Sequence, residues 1–303
     1  MPITESETEM ESFILDYREE CSRNCESLLA ERSLPENVTV LRDLSYGPDP
    51  VWNTLDLFVP TQRSGKLPVL INVHGGGWVW GSKEYTWQYC ASLCAFGFAV
   101  VSFSYRLAPE SLFPAQLEDV NAVVHYIWKR AGEMGLDLER ICMVGDSAGA
   151  HIASMYTCTC TNPMCTYGFQ PPEGFRINAI GLNCGVYDFA NCRSELIQSL
   201  IPSVFSKDTS LERESPVTWL TKQFPPAFLM TAKGDFLKGQ TPLLEQKLSE
   251  LGVSCVCREY GTKSELLTHD FQCDLNCKQA EAANREECEF LMRYVSQGRN
   301  LYV

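Results

Sequence analysis

The chain has 303 residues, 45% of them hydrophobic, with a formal net charge of −13 and 15 cysteines. That size and apolar content can bury a substantial core in a single domain, and 25 basic residues scattered among 38 acidic ones exclude a nucleic-acid partner, which needs clustered Lys and Arg to neutralise phosphates. No run approaches the roughly eighteen apolar residues of a spanning helix, and the acidic amino terminus lacks the features of a signal peptide, so no membrane partner and a cytoplasmic location are expected.

Met10, Phe13, Ile14, Tyr17, Cys21 and Leu28 recur at helical spacing with acidic residues between them. The spacing predicts an amphipathic helix. Its acidic face would be repelled by anionic lipid, so it is expected as a lid over a site, within a cap element covering about residues 1–35. Val38 to Tyr46 and Trp52 to Val59 then read as two strands joined by Gly47-Pro48-Asp49-Pro50, an antiparallel hairpin. From Leu67 onward strands and helices alternate, which predicts an α/β fold with a mostly parallel twisted sheet and helices on both faces. The strand pattern lapses over residues 189–222, where a second cap insertion is expected.

The chemistry-bearing segments lie where strands end. The apolar run Leu67 to Val73 leads straight into His74-Gly75-Gly76-Gly77-Trp78. Three successive residues without Cβ let backbone N–H groups converge on one small volume, as a tetrahedral oxyanion requires. His74 precedes the nucleophile in the chain and is expected to buttress this loop by a hydrogen bond. A helix is predicted over Gln116 to Met134, with His125 on its face. After the run Ile141 to Val144 comes Gly145-Asp146-Ser147-Ala148-Gly149, followed by helix formers as far as Tyr156. Gly-x-Ser-x-Gly between strand and helix is a nucleophile elbow, which lifts the Ser147 hydroxyl above the sheet.

A serine needs a base, and the chain has four histidines: His74, His125, His151 and His269. His151 sits in the helix after the elbow, directed along it. His269 lies in a loop after the strand Val253 to Tyr260, at the carboxyl edge of a sheet, and is taken as the base. The acid should precede it in the order Ser, Asp, His. Asp235 ends the segment Pro226 to Asp235 and is separated from His269 by a helical stretch, Gln240 to Leu251, and a strand. Asp270 and Asp188 are rivals: Asp270 is expected to face away from its sequence neighbour, and Asp188 suits the mouth of the site better.

His74 to Trp78, Tyr105-Arg106-Leu107-Ala108-Pro109-Glu110 with Phe113-Pro114-Ala115, Gly145 to Gly149, Ser215-Pro216, Asp235 and His269 occur in an order similar to that of the hormone-sensitive-lipase-like α/β-hydrolase esterases. The resemblance spans about residues 65 to 272. It implies an α/β-hydrolase fold over residues 1–303, with Ser147, Asp235 and His269 as nucleophile, acid and base. It also implies oxyanion donors at the amides of Gly76, Gly77 and Ala148, with His74 and Gly75 in support. The implied activity is hydrolysis of carboxylic esters, and a compact cap with a cytosolic address favours small, short-acyl ones. Departures are Phe236-Leu237-Lys238-Gly239 after the acid, Asp270 in place of glycine after the base, and Ala150 in place of a third glycine after the elbow. An arylformamidase-type amide hydrolase and a non-catalytic small-molecule receptor are the alternatives on the same scaffold.

No cofactor and no metal are expected. The cysteines are odd in number and four lie in predicted strands (Cys142, Cys184, Cys255 and Cys257), so they read as small apolar residues of a reducing compartment. Cys158, Cys160 and Cys165 lack the paired Cys-x-x-Cys spacing of a zinc site. The sequence leaves the oligomeric state open, a homodimer included.

Overall fold

The computed structural model describes residues 5–30 and 34–296, apart from the side chains of residues 5–8 and 27–30; the Leu28 side chain of the expected lid stripe thus lies outside the described residues. Helix α1 (Glu5–Ala30) is followed by strands β1 (Val38–Ser45), β2 (Thr54–Pro60) and β3 (Leu67–Val73). The elements then run α2 (Trp87–Cys94), β4 (Ala99–Phe103), α3 (Ala115–Met134), β5 (Leu136–Asp146), α4 (Ala148–Thr161) and β6 (Ala179–Asn183). The last part comprises α5 (Glu195–Val204), α6 (Pro216–Trp219), β7 (Ala227–Ala232), α7 (Gln240–Glu250), β8 (Cys255–Tyr260), a 3-10 turn at Phe271–Cys273, and α8 (Lys278–Ser296).

All eight strands form one sheet in the order β1-β2-β4-β3-β5-β6-β7-β8, antiparallel at β1–β2 and β2–β4 and parallel elsewhere. The sequence of β3 explains its central place: every one of its residues is buried, as a strand covered on both faces demands. Side chains alternate between two cores. Val69, Ile71 and Val73 face the layer that holds α3, α4 and α7, while Leu70 joins Trp87 of α2 and Phe290 of α8 on the other face. Gly135, with φ 68°, ends α3 in the left-handed conformation and returns its N–H to the Ala131 carbonyl. Carboxyl-terminal α8 has no counterpart in the expectation from sequence. Its buried stripe includes Ala280, Ala283, Asn284 and Glu287, small or polar residues that blur the hydrophobic period.

The β1–β2 hairpin follows the predicted pattern and carries a bulge between Leu41 and Leu44, where Asp43 has φ 54°. The bulge helps to hold Lys83, whose Nζ lies 2.8 Å from Asp43, 3.0 Å from Asp56 and 2.7 Å from Glu84. Lys83 and Asp56 are both almost fully buried. Lys83→Met is therefore expected to lower unfolding free energy by about 3–5 kcal/mol, because Asp56 is left as an uncompensated buried charge. Urea denaturation checks this. Adding Asp56→Asn should recover much of the loss, since the two positions are directly coupled.

Candidate active site

Ser147 joins β5 to α4 with φ 52° and ψ −120°, a conformation that a non-glycine residue keeps only when its surroundings enforce it. They do so here through close packing. A Cβ on Gly145 would lie 2.5 Å from the Gly149 carbonyl oxygen, and one on Gly149 would collide with the carbonyl oxygen of Val73. The Ser147 N–H donates to the Asn183 carbonyl at 2.8 Å, tying the elbow to β6.

The loop after β8 brings His269 to this elbow, anchored by the Gly234 N–H, which donates to the Leu267 carbonyl at 2.8 Å. His269 Nε2 lies 2.8 Å from Ser147 Oγ, and its Nδ1 lies 2.7 Å from Asp235 Oδ1. Asp235 also accepts from the Leu237 N–H at 2.9 Å and from the Thr231 hydroxyl at 2.8 Å. Burial pushes the Asp235 carboxyl up, but these donors and the His269 charge outweigh it and hold the group below its ordinary value. His269 is shifted upward: burial disfavours its charge, and the carboxylates of Asp270, Asp235 and Asp146 more than offset that.

The glycine loop is braced from beneath. His74 Nδ1 donates to the Gly75 carbonyl at 2.7 Å, as expected of a buttress, and Tyr105 stacks on its ring at 4.0 Å between centroids. Burial holds His74 down at about 4, so it carries no charge at neutral pH. The Gly75 N–H donates to Asp146 Oδ2 at 2.8 Å. Gly76 and Gly77 have φ of +107° and +62°, and a Cβ on Gly76 would overlap the Trp80 carbonyl. Among the described residues nothing accepts from the N–H of Gly76 or Gly77. Ala148 is the first residue of α4, so its N–H is one of those that a helix leaves without an internal partner.

Two helices press on this loop. A Cβ on Gly77 would lie 2.8 Å from Leu200 Cδ1 of α5 and 3.2 Å from Tyr17 Oη of α1. Arg18 fastens α1 by donating to the carbonyls of Val79 (2.7 Å) and Ala108 (2.9 Å) and pairing with Glu110 at 2.6 Å. Trp80 Nε1 donates to Ser22 of the same helix at 3.0 Å. Trp78, Trp87 and Tyr105 are core residues, whereas Trp80 is half-buried and lines a cavity of about 230 Å³ beside the loop, with Cys25, Asp146, Asp270 and Cys273 among its other walls.

Two expectations about carboxylates are corrected. Asp270 does not face away from the base: its Oδ2 lies 3.3 Å from His269 Nε2. Its φ of 54° turns the chain at this residue, so the usual opposition of neighbouring side chains does not apply. Asp188 is held at its backbone by Gln240 and lines a different cavity with Val217 and Leu243, away from the site. His151 is buried between Trp78, which donates to its Nδ1, and the Glu214 carbonyl, which accepts from its Nε2. His125 bonds the Gln170 carbonyl on the α3 surface. Among the described residues only Cys184, His269 and Asp270 place three potential metal-ligand atoms within 4.8 Å of one another, and there Nε2 already faces Ser147.

The sheet order and the serine elbow define an α/β-hydrolase. The model of the BD-FAE family matches residues 55–248, and the chain belongs to that family. A probable carboxylic ester hydrolase, LipM, of Mycobacterium tuberculosis is 28% identical over 207 residues, 64% of this chain and 48% of LipM. A probable isoprenylcysteine alpha-carbonyl methylesterase, ICMEL1, of Oryza sativa subsp. japonica is 37% identical over 115 residues, 38% of this chain and 27% of ICMEL1. The chain thus spans about half the length of curated relatives such as LipM. Esterase B from Lactobacillus rhamnosis superposes with a TM-score of 0.90 at 22% identity, covering 97% of this chain and 98% of that one, a likeness of fold.

Proposed function

We propose that the protein is a serine hydrolase of small, short-acyl carboxylic esters, with Ser147 as nucleophile, His269 as base and Asp235 as acid. The reading rests on one observation: the two nitrogens of His269 are shared between Ser147 Oγ at 2.8 Å and Asp235 Oδ1 at 2.7 Å. In this mechanism Nε2 takes the hydroxyl proton as Oγ attacks the ester carbonyl. The oxyanion accepts from the amides of Gly76, Gly77 and Ala148, with His74 and Gly75 bracing the loop. Nε2–H then protonates the departing alcohol, and water repeats the sequence to free the acid. Asp235 holds Nδ1–H in place and stabilises the imidazolium. Helices α1 and α5 act as cap elements of a single domain. The esterase names of the relatives support the reading.

A fluorophosphonate probe tests the proposal, because only an activated serine reacts with it. The expected result is one label per chain, on Ser147, together with turnover of acetyl and butyryl aryl esters above that of the matching formanilides. An unlabelled Ser147 would overturn it. The pH dependence follows from the environment of His269: the base must be neutral to act, and its carboxylate neighbours raise it, so kcat/KM should fall with acid along a limb lying above 6.5. Asp270→Asn removes one of those negative charges and should move the limb to lower pH, as a pH–rate profile would show.

A further inference from the structure

The cavity between α1, the glycine loop and the turn after His269 has a chemistry that ester hydrolysis alone does not require. Three carboxylates line it, Asp146, Asp270 and Asp274, and among the described residues no lysine or arginine does. Lys83, next in sequence to the lining residue Ser82, is already held by Asp43, Asp56 and Glu84. His74, another wall, is neutral because burial holds it down at about 4.

Two observations point to a cationic ligand. Asp146 is 5% exposed and its Oδ1 has no hydrogen-bond partner among the described residues; Asp270 Oδ1 and His74 Nε2, on two further lining residues, also have none. Buried carboxylate oxygens without donors are costly, and a site that collects them is complete only when a donor or a positive charge enters. The second observation is aromatic. Trp80 and Tyr85 both line the cavity, with ring centroids 4.3 Å apart at 42°, so it offers π-surface beside the carboxylates, a pairing that attracts ammonium groups.

We infer that this cavity takes the ammonium end of a cationic ester. The inference rests on the esterase reading, because the chamber adjoins the reacting groups: Gly76 is one wall, and Asp270, another, touches His269 Nε2. Burial raises the Asp146 and Asp270 carboxyls, the latter to about 6, with further repulsion of Asp146 by Asp270 and of Asp270 by Asp235; an entering cation relieves both. An overall charge of −13 favours the approach of such a substrate.

Two pairs of isosteric esters test the idea and tell the acyl from the alcohol side. Acetylcholine is compared with 3,3-dimethylbutyl acetate, and phenyl 4-(trimethylammonio)butyrate with phenyl 5,5-dimethylhexanoate. In one pair the cation should be preferred by about 10-fold in kcat/KM, mostly through KM, the size that a desolvated cation–π contact provides. The preference should collapse toward unity in Asp270→Asn and shrink in Trp80→Leu, which leaves the neighbour of His269 in place. Neutral esters turned over as well as or better than the cations in both pairs would overturn this inference and leave the esterase reading standing. Calorimetric binding of phenyltrimethylammonium to Ser147→Ala gives a readout free of catalysis. Binding that weakens about 10-fold on adding Asp270→Asn supports the site, and absent or unchanged binding sinks it even if no ester is hydrolysed.

Discussion

Ser147→Ala is expected to lower kcat by about 10⁴- to 10⁶-fold against a short-acyl aryl ester, the range found when the nucleophile of a serine triad is removed. Only Oγ is lost, so KM should change little. Thermal unfolding should not fall either, because the elbow is held by the Ser147 N–H at Asn183 and by the packing of Gly145 on Gly149, none of which uses the hydroxyl. The residual rate should come from the amides of Gly76, Gly77 and Ala148 and from binding. A variant within about 10-fold of the parent would assign the nucleophile elsewhere.

The parts of this site that were legible in the sequence are those where backbone geometry restricts residue choice. The glycines at 145 and 149 could be read because no other side chain fits beneath the elbow, where Cβ atoms would meet Gly149 and Val73. The run at 75 to 77 was legible for the same reason, with positive φ at Gly76 and Gly77. Parallel strands such as β3 show as unbroken apolar runs because both of their faces are covered. Side-chain direction in irregular loops has no such signature. Asp270 follows the base in sequence, yet its φ of 54° swings the carboxylate to Nε2, and residue type does not report that angle. The cavity was hidden for a related reason, since its walls come from α1, the glycine loop and the 270–274 turn, segments far apart in the chain. Cys25 and Cys273, both lining it, looked like ordinary apolar filler.

Asp235→Asn separates the charge of the acid from its geometry. Asp235 Oδ1 accepts from both Leu237 N–H and His269 Nδ1, whereas Oδ2 accepts from the rotatable Thr231 hydroxyl. An asparagine is therefore forced to keep its carbonyl oxygen toward His269 and its amide nitrogen toward Thr231, whose hydroxyl can turn and accept. Imidazole orientation and tautomer survive, and what disappears is the negative charge facing the imidazolium. The expected cost is about 10³-fold in kcat/KM, below the roughly 10⁴-fold loss found where the same substitution also forces the wrong tautomer. Because Asp270 Oδ2 stands 3.3 Å from Nε2, part of the charge stabilisation has a second source, and the double variant Asp235→Asn, Asp270→Asn should lose more than the two single effects added as free energies. Rates over a pH series check both statements. A loss of less than about 10-fold in Asp235→Asn would transfer the acid's role to Asp270, and the order Ser, Asp, His along the chain would then not describe this site.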